Sequence, residues 1–287
     1  MMLTVGMARP ARGSDTPPPV LPPTPLLDTV TVSYLAFSTR RLRSAYAGPA
    51  LTLRRDSDNA TLNIGFDANG SLDAAAVAAH LGAANGYVSR WYDQSGNAYD
   101  FGNSTTAMQP RLLLNSLNGK ACLSFDGTSQ FLDDLANNTA ADSDWSFLAA
   151  IDPPTVAGGY RTIFATRRYS PTANSLTFVS LTSQNRPGYA VDATMYHGPN
   201  TAVTGRHVQT AILKSPNLAE IRVDKTMLAS GLSYAQRGMY NQSRIGREVG
   251  SSYHFEGKLG ELLVFPRALS ADDLAAIEDS LAAYFVG

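Results

Sequence analysis

The stretch Trp91-Tyr92-Asp93-Gln94-Ser95-Gly96-Asn97 joins an alternating strand pattern, residues 87–92, to a polar turn. Two interpretations of this stretch are open. In the first, the turn contacts sugar hydroxyls while an aromatic ring stacks on a sugar face. In the second, the aromatic residues are core and the polar side chains satisfy buried loop groups, a scaffolding role that is slightly favoured. The candidate ligand-binding residues are Trp91, Tyr92, Asp93, Gln94 and Asn97.

The sequence on either side of this stretch is typical of an all-β protein. Only 16% of the residues are charged, and short alternating apolar runs are separated by turn residues, as a sandwich of many strands requires. The predicted strands include residues 51–55, 61–66, 87–92, 111–114, 121–125, 145–151, 162–165, 176–181, 189–195, 208–214, 219–223 and 258–265. A single sandwich of this kind can reach 200 to 250 residues, so residues 28–287 are predicted to form one domain.

The two ends of the chain differ from this pattern. Residues 1–27 are predicted to be an extended arm, because seven prolines between Arg9 and Pro25 favour polyproline conformation. The alternatives are a disordered linker or an arm that lies on a partner. At the other end, Ser270-Ala-Asp-Asp273 resembles a capping box that opens a short C-terminal helix. An internal helix is predicted over 71–81, with Ser71 as its N-cap.

Charge and cysteine content exclude several classes of function. The net charge is −1 and the pI about 6.4, so no basic field is present for nucleic acid. No apolar stretch is long enough to predict membrane insertion, and no signal peptide is expected. The single cysteine, Cys122, lies in an alternating run that predicts a buried strand position.

Several of these stretches together resemble one family. Residues 38–61, which contain Ser44-Ala45-Tyr46-Ala47-Gly48-Pro49, and the string Tyr92-Asp93-Gln94-Ser95-Gly96 are similar to the family 54 α-L-arabinofuranosidases. Phe255-Glu256-Gly257 near the C-terminus also resembles that family and the wider laminin-G-like sandwiches, including domains of phage-type structural proteins. The resemblance implies a concanavalin A-like jelly-roll β-sandwich, and fold transfers through such a likeness better than activity does.

The resemblance also allows a test for catalytic residues. Retaining glycosidases need two carboxyl groups, one as nucleophile and one as acid and base. The family nucleophile is a Glu before an Asn, and the most similar place here is Gln184-Asn185, where an amide stands instead. Glu248 is similar in position to the family acid/base. The family's vicinal cysteine pair is missing. The fold could still pair other carboxylates among Asp93, Glu248, Glu256 and Glu261.

These observations predict a non-catalytic carbohydrate-binding virion protein: a phage spike, fibre or tail component that attaches to host surface polysaccharide. The arm would contact other virion proteins. The protein would form a homo-oligomer, preferably a trimer, which would strengthen sugar binding through avidity. It would be located in the virion, or outside the cell after lysis. The alternatives are a glycoside hydrolase of α-L-arabinofuranosidase type and a purely structural sandwich. No cofactor is expected, although acidic turns at Asp56, Asp58, Asp126 and Asp133-Asp134 leave calcium as a possibility.

Overall fold

The computed structural model describes residues 24–30, 33–154, 159–167, 175–181, 186–192, 194–199, 203–216, 218–234 and 236–287. The strands are β1 (Leu35–Ser38), β2 (Leu51–Arg55), β3 (Thr61–Ile64), β4 (Gly86–Trp91), β5 (Phe101–Gly102), β6 (Arg111–Leu117), β7 (Lys120–Asp126), β8 (Leu132–Asp134), β9 (Ala140–Ser143), β10 (Trp145–Asp152), β11 (Arg161–Arg167), β12 (Ser175–Leu181), β13 (Gly188–Val191), β14 (Thr194–His197), β15 (His207–Leu213), β16 (Ala219–Val223), β17 (Thr226–Leu232), β18 (Arg237–Met239), β19 (Gln242–Ile245) and β20 (Glu256–Phe265). The helices are α1 (Ala74–Leu81) and α2 (Ala271–Leu281), with short helical turns at Leu26–Asp28, Thr106–Met108 and Ala282–Val286.

The strands form two antiparallel layers. One layer has the order β1, β20, β10, β15, β16, β17. The other, which we call the site sheet, has the order β14, β13, β12, β11, β19, β8, β5, β4, β2, β3. Strands β6 and β7 connect the two layers, because β6 pairs with β4 and β7 pairs with β20. The predicted all-β sandwich is confirmed.

Aromatic side chains fill the space between the layers. Phe147 on β10 stacks on Phe178 of β12 at 5.7 Å, and Phe37 on β1 meets Trp91 of β4 at 5.4 Å. All four are essentially buried. Each buried side chain of this size contributes about 1.5–3 kcal/mol through removal of apolar surface from water. The core therefore fixes the site sheet against the other layer.

A second apolar cluster lies on the outer side of the other layer, under α2. Ile277, Leu281 and Phe285 are buried there against the sheet. Ser270 begins the helix, since its hydroxyl accepts a hydrogen bond from the Asp273 backbone N–H at 3.2 Å, which confirms the predicted cap. Leu26 belongs to the same cluster, so this part of the predicted arm packs on the domain. Residues 1–23 of the arm lie outside the described residues.

Two local predictions are wrong. The internal helix begins at Ala74 rather than at Ser71, because the Asp73 carboxylate accepts from the Ala76 N–H and caps it. The predicted strand over 189–195 is two strands, β13 and β14. Asp192 lies after β13 with a positive φ of 54°, where the chain leaves the strand, and its carboxylate accepts from the Ser175 N–H, which ties this turn to β12.

The buried imidazole of His207 predicts a pH dependence of stability. Burial lowers its pKa, although the Gly205 carbonyl accepts from the ring at 2.8 Å. The unfolded chain binds a proton near the ordinary pKa of about 6.5, whereas the folded chain resists it, so the free energy of unfolding falls as pH decreases below about 6.5. Urea unfolding at about pH 7.5 and about pH 5.5 tests this. His207→Gln should lose less stability on acidification than the wild type, and an equal loss in both would contradict the prediction.

Candidate functional site

The segment 91–97 is built into the sandwich. Trp91 is fully buried, and its indole N–H donates to the Ser38 carbonyl at 3.3 Å. The Asp93 carboxylate accepts from the backbone N–H groups of Ala36 and Ser95, both at 2.9 Å. The buried Gln94 amide donates to the Arg40 carbonyl at 3.0 Å, and its oxygen accepts from the Leu42 N–H at 2.8 Å. These side chains tie the turn after β4 to the segment that begins with β1.

Tyr92 and Asn97 are placed differently from these buried residues. Tyr92 is half-buried and lines a cavity of about 440 Å³, whose other walls include Thr52 and Arg90. The Arg90 guanidinium lies 5.3 Å from the Tyr92 ring centre. Asn97 is exposed, and its amide donates to the Tyr34 carbonyl at 2.9 Å. Sugar binding by this segment stays a prediction, and the placement of Trp91, Asp93 and Gln94 favours the scaffolding interpretation for those three.

Burial divides the four carboxylates that were candidates for a catalytic pair into two enclosed groups and two partly exposed ones. Glu261 is fully buried, where it accepts from Arg40 at 2.8 and 3.0 Å and from the Ser38 hydroxyl at 2.7 Å. Asp93 is buried in the turn described above, and burial raises its pKa against its hydrogen bonds. A substrate in solvent reaches neither group. Of the four, Glu248 and Glu256 are the two that are partly exposed.

Glu248 lies on the hairpin that joins β19 to β20, residues 246–255. The hairpin is held by paired backbone bonds: the Glu248 N–H donates to the Tyr253 carbonyl at 3.1 Å, and the Phe255 N–H donates to the Gly246 carbonyl at 2.8 Å. Gly246 and Gly250 adopt positive φ values, which the hairpin turns require. The Ser251 hydroxyl donates to the Glu248 carboxylate. Glu248 is thus presented at the rim of the site sheet.

Glu256 is joined to the same hairpin through the start of β11. Arg161 donates to its carboxylate at 2.8 Å, and the preceding Tyr160 ring lies 4.7 Å from that of Tyr253. Tyr253 is among the exposed large apolar residues, 41% exposed. The contact between Tyr160 and Tyr253 therefore links the chain next to Glu256 to the hairpin of Glu248, the residue predicted to be similar in position to the family acid/base.

Two further predictions on catalytic groups have different outcomes. Gln184, the position most similar to the family nucleophile, lies outside the described residues. Cys122 is a buried residue of β7, as predicted, and burial raises the pKa of its thiol to about 11. A thiol of that kind is not a nucleophile.

A cavity lined by arginines lies beside the Glu248 hairpin, and sequence reasoning missed it. Its volume is about 450 Å³, and we call it the arginine cleft. Ile245 and Phe164, which pair across β19 and β11, face the core, so the alternate residues of these strands face outward. The lining residues are Arg167, Gln242, Arg244, Arg247, Val249, Gly250 and Ser251. Arginines at strand positions 167 and 244 were the available sequence signal.

The arginine cleft and the Tyr92 cavity lie on the same outer face of the site sheet. Strand register connects them in one lateral row. In order across the sheet, the row is Ala165, Arg244, Asp133, Gly102, Arg90, Thr52 and Asn63. The seven neighbouring strands of this row, spaced about 4.8 Å apart, make the face about 29 Å wide.

The acidic turns that suggested calcium are occupied by internal contacts. Asp126 accepts from the N–H groups of Thr128, Ser129 and Gln130, and Asp133 accepts from Arg244 at 2.7 Å. Within the described ranges, no group of three or more His, Cys, Asp or Glu side chains is placed to hold a metal ion. Calcium binding remains an untested prediction. No helix in the described part of the chain is both long and apolar enough to cross a membrane.

Comparison with known proteins identifies similar domains. Residues 28–119 match the model of the catalytic domain of α-L-arabinofuranosidase B. No curated protein matches the chain. A glutamate-to-glutamine mutant of a family 54 α-L-arabinofuranosidase, soaked with 4-nitrophenyl α-L-arabinofuranoside, superposes with a TM-score of 0.71 at 17% identity. The match covers 88% of this chain and 63% of that one.

Two further structures give the same result. A family 54 enzyme soaked with a cyclic sulfate inhibitor and an arabinofuranosidase complexed with arabinofuranosyl-α-1,2-xylobiose both superpose with a TM-score of 0.68, at 16% and 15% identity. The coverage is again 88% of this chain and 63% of each of those chains. This chain therefore spans a little under two thirds of their length.

These findings correct the predicted function. The prediction of a non-catalytic virion protein with tail-fibre and host-attachment roles is wrong, because the sequence match and the three structural matches above point to arabinofuranosidase catalytic domains, and none of these supports a phage component. The chain resembles the catalytic β-sandwich of the family 54 α-L-arabinofuranosidases, in sequence over residues 28–119 and in fold over 88% of its length.

Proposed function

We propose that this chain is a glycoside hydrolase domain that cleaves α-L-arabinofuranosides. The observation that carries the proposal is the match of residues 28–119 to an arabinofuranosidase catalytic domain. Two partly exposed carboxylates, Glu248 on the hairpin after β19 and Glu256 at the start of β20, support it, because hydrolysis of a glycoside requires carboxyl groups that a substrate can reach.

The proposed mechanism assigns Glu248 as the acid and base. In the first step an ionised carboxylate attacks the anomeric carbon, the glycosidic C–O bond breaks, and Glu248 gives its proton to the departing oxygen. In the second step Glu248 takes a proton from water as the water oxygen attacks the same carbon and releases the carboxylate. The hydroxyl of Ser251 orients the Glu248 carboxylate through its hydrogen bond.

Hydrolysis of 4-nitrophenyl α-L-arabinofuranoside tests this proposal. The purified chain should release nitrophenol at a rate well above the spontaneous one, with 4-nitrophenyl β-D-xylopyranoside as the negative control. Absence of release from the arabinofuranoside across a range of pH, with a folded protein, would overturn the proposal.

Covalent trapping identifies the nucleophile in the same protein. An arabinofuranose-configured cyclic sulfate reacts when a carboxylate attacks the anomeric carbon and breaks its bond to the sulfate oxygen. This opens the cyclic sulfate, forms a glycosyl ester and leaves the sulfate on the neighbouring oxygen of the sugar. Peptide mass spectrometry should then find one added arabinofuranosyl sulfate on one carboxylate. A label on Glu256 would assign it as the nucleophile, and a label on another Asp or Glu would assign that residue. Labelling of no carboxylate would count against covalent catalysis.

A further inference from the structure

The arginine cleft has more positive charge than its neighbouring residues neutralise. Arg244 donates to the Asp133 carboxylate at 2.7 Å. Arg167 donates instead to the Val249 carbonyl at 3.2 Å, and Arg247 to the Ser251 carbonyl at 3.0 Å. Within the described residues, these last two guanidinium groups have no carboxylate partner. Of the three arginines that line the cleft, one is thus ion-paired, with Asp133, and the other nearby carboxylate is that of Glu248, which is hydrogen-bonded to Ser251.

An aromatic ring holds two of these cations close together. The guanidinium carbons of Arg244 and Arg247 each lie 5.0 Å from the ring centre of Phe131. Cation–π contact fixes the position of both groups but does not cancel their charge. Burial lowers the pKa of Arg247, and the charge of Arg244 lowers it further. Burial lowers the pKa of the nearby His254 against its hydrogen bond to the Ser252 carbonyl, and the charges of Arg247 and Arg244 also lower it. The cleft is a fixed, partly desolvated positive site.

The position of the cleft relates it to a glycan. It opens on the outer face of the site sheet, and Ser251, which lines it, is hydrogen-bonded to Glu248. A group bound in the cleft would therefore lie beside the proposed bond-cleaving residue. Guanidinium groups prefer planar oxyanions that accept two parallel hydrogen bonds, which describes a carboxylate.

We propose that the arginine cleft binds the carboxylate of a uronic acid residue, so that the substrate is an arabinofuranoside attached to an acidic glycan. The inference rests on the proposed function for the glycan context, but the anion site is defined by the arginines alone. A neutral arabinoxylan would leave Arg167 and Arg247 without an anion, whereas the carboxylate of a uronate would accept hydrogen bonds from both.

Binding of trigalacturonate, measured by isothermal titration calorimetry with the full chain, tests the site without catalysis. We expect binding to the acid, at least ten-fold weaker binding to its fully methyl-esterified form, and an affinity that decreases as salt is added. Equal affinity for acid and ester, or no binding to the acid, would overturn the proposal. If inorganic sulfate displaced trigalacturonate at a concentration equal to or lower than that of the trigalacturonate, the uronate assignment would also be overturned, in favour of a sulfate ester.

Single charge removals localise the effect. Arg167→Gln and Arg247→Gln should each weaken binding of trigalacturonate at least ten-fold. Arg206→Gln, at an exposed turn before β15, is the matched control and should leave the affinity unchanged. If Arg247→Gln fails to fold by circular dichroism, Arg167→Gln carries the test alone. An equal loss in the Arg206 variant, or no loss in either cleft variant, would contradict the proposal.

The outcomes separate this inference from the proposed function. Release of nitrophenol without any preference for the acidic oligomer would retain the hydrolase and overturn the uronate site. Binding of the acid that depends on Arg167 and Arg247, without hydrolysis of the arabinofuranoside, would retain the site and overturn the hydrolase.

Discussion

Replacing Glu248 with glutamine is expected to lower the rate of hydrolysis of an arabinofuranosyl oligosaccharide by about 10²- to 10⁴-fold. Glutamine keeps the shape of the side chain but has no proton to give to the departing sugar oxygen. It can still accept the hydrogen bond from Ser251, so the hairpin at residues 246–255 should keep its conformation. The measurement is the release of arabinose from arabinofuranosyl xylobiose by wild type and variant.

The dependence on the leaving group distinguishes an acid and base from a residue that only supports the hairpin. Nitrophenol departs without protonation, so bond cleavage in 4-nitrophenyl α-L-arabinofuranoside should be little affected by Glu248→Gln. The glycosyl-enzyme should then accumulate, because water attacks slowly without a base. Added azide needs no base: it attacks the anomeric carbon, displaces the enzyme carboxylate and yields an arabinofuranosyl azide. Recovery of turnover with azide is expected.

Glu220→Gln is the matched control, since Glu220 lies on β16 in the layer that does not form the site sheet. It should behave as the wild type with both substrates. A Glu248 variant that loses activity equally on the nitrophenyl and oligosaccharide substrates, with no recovery in azide, would remove the acid and base role from Glu248.

Local patterns predicted the strands well where one face is buried. Residues 51–55 and 219–223 were predicted with the bounds that the structure shows, because apolar side chains alternate there and turn residues flank them. The Ser270 cap was also predicted correctly, since a cap depends on side chains three positions apart. Short strands such as β5 and β8 were missed, because two or three residues contain no period.

The site was harder to predict because its contacts are long-range. Arg167 and Arg244 lie 77 positions apart in sequence, and only the pairing of β11 with β19 brings them to one cleft. Glu256 and Arg161 also meet across 95 positions, although their strands, β20 and β11, do not pair. Side-chain burial could not be predicted from residue type either. Glu261 and Asp93 are carboxylates, as a catalytic group would be, but the fold encloses both.

Asp93 differs from Glu248, because its substitution is expected to lower the stability of the fold rather than the rate of hydrolysis. Its carboxylate accepts from the N–H groups of Ala36, Ser95 and Tyr99 and from the Ser95 hydroxyl, at 2.5–3.2 Å. Asp93→Ala leaves these buried donors without a partner. Since hydrogen bonds to a charged group contribute about 1.5–3 kcal/mol each and their losses are only partly additive, we expect about 3–5 kcal/mol less free energy of unfolding.

The measurement is the free energy of unfolding in urea of Asp93→Ala, with Asp67→Ala as the matched control. Asp67 also caps a turn, accepting from the Asn69 and Ser71 N–H groups at 2.9 Å, but it is exposed, so water replaces the carboxylate and the loss should stay near or below about 1 kcal/mol. Equal losses in the two variants would show that burial does not set the cost. If Asp93→Ala kept full stability and lost only sugar binding, the string Tyr92-Asp93-Gln94-Ser95-Gly96 would be a ligand site. The bonds from Asp93 and Gln94 to residues 36–42 argue that it holds β4 to β1, and that glycan contacts belong to the neighbouring outer face.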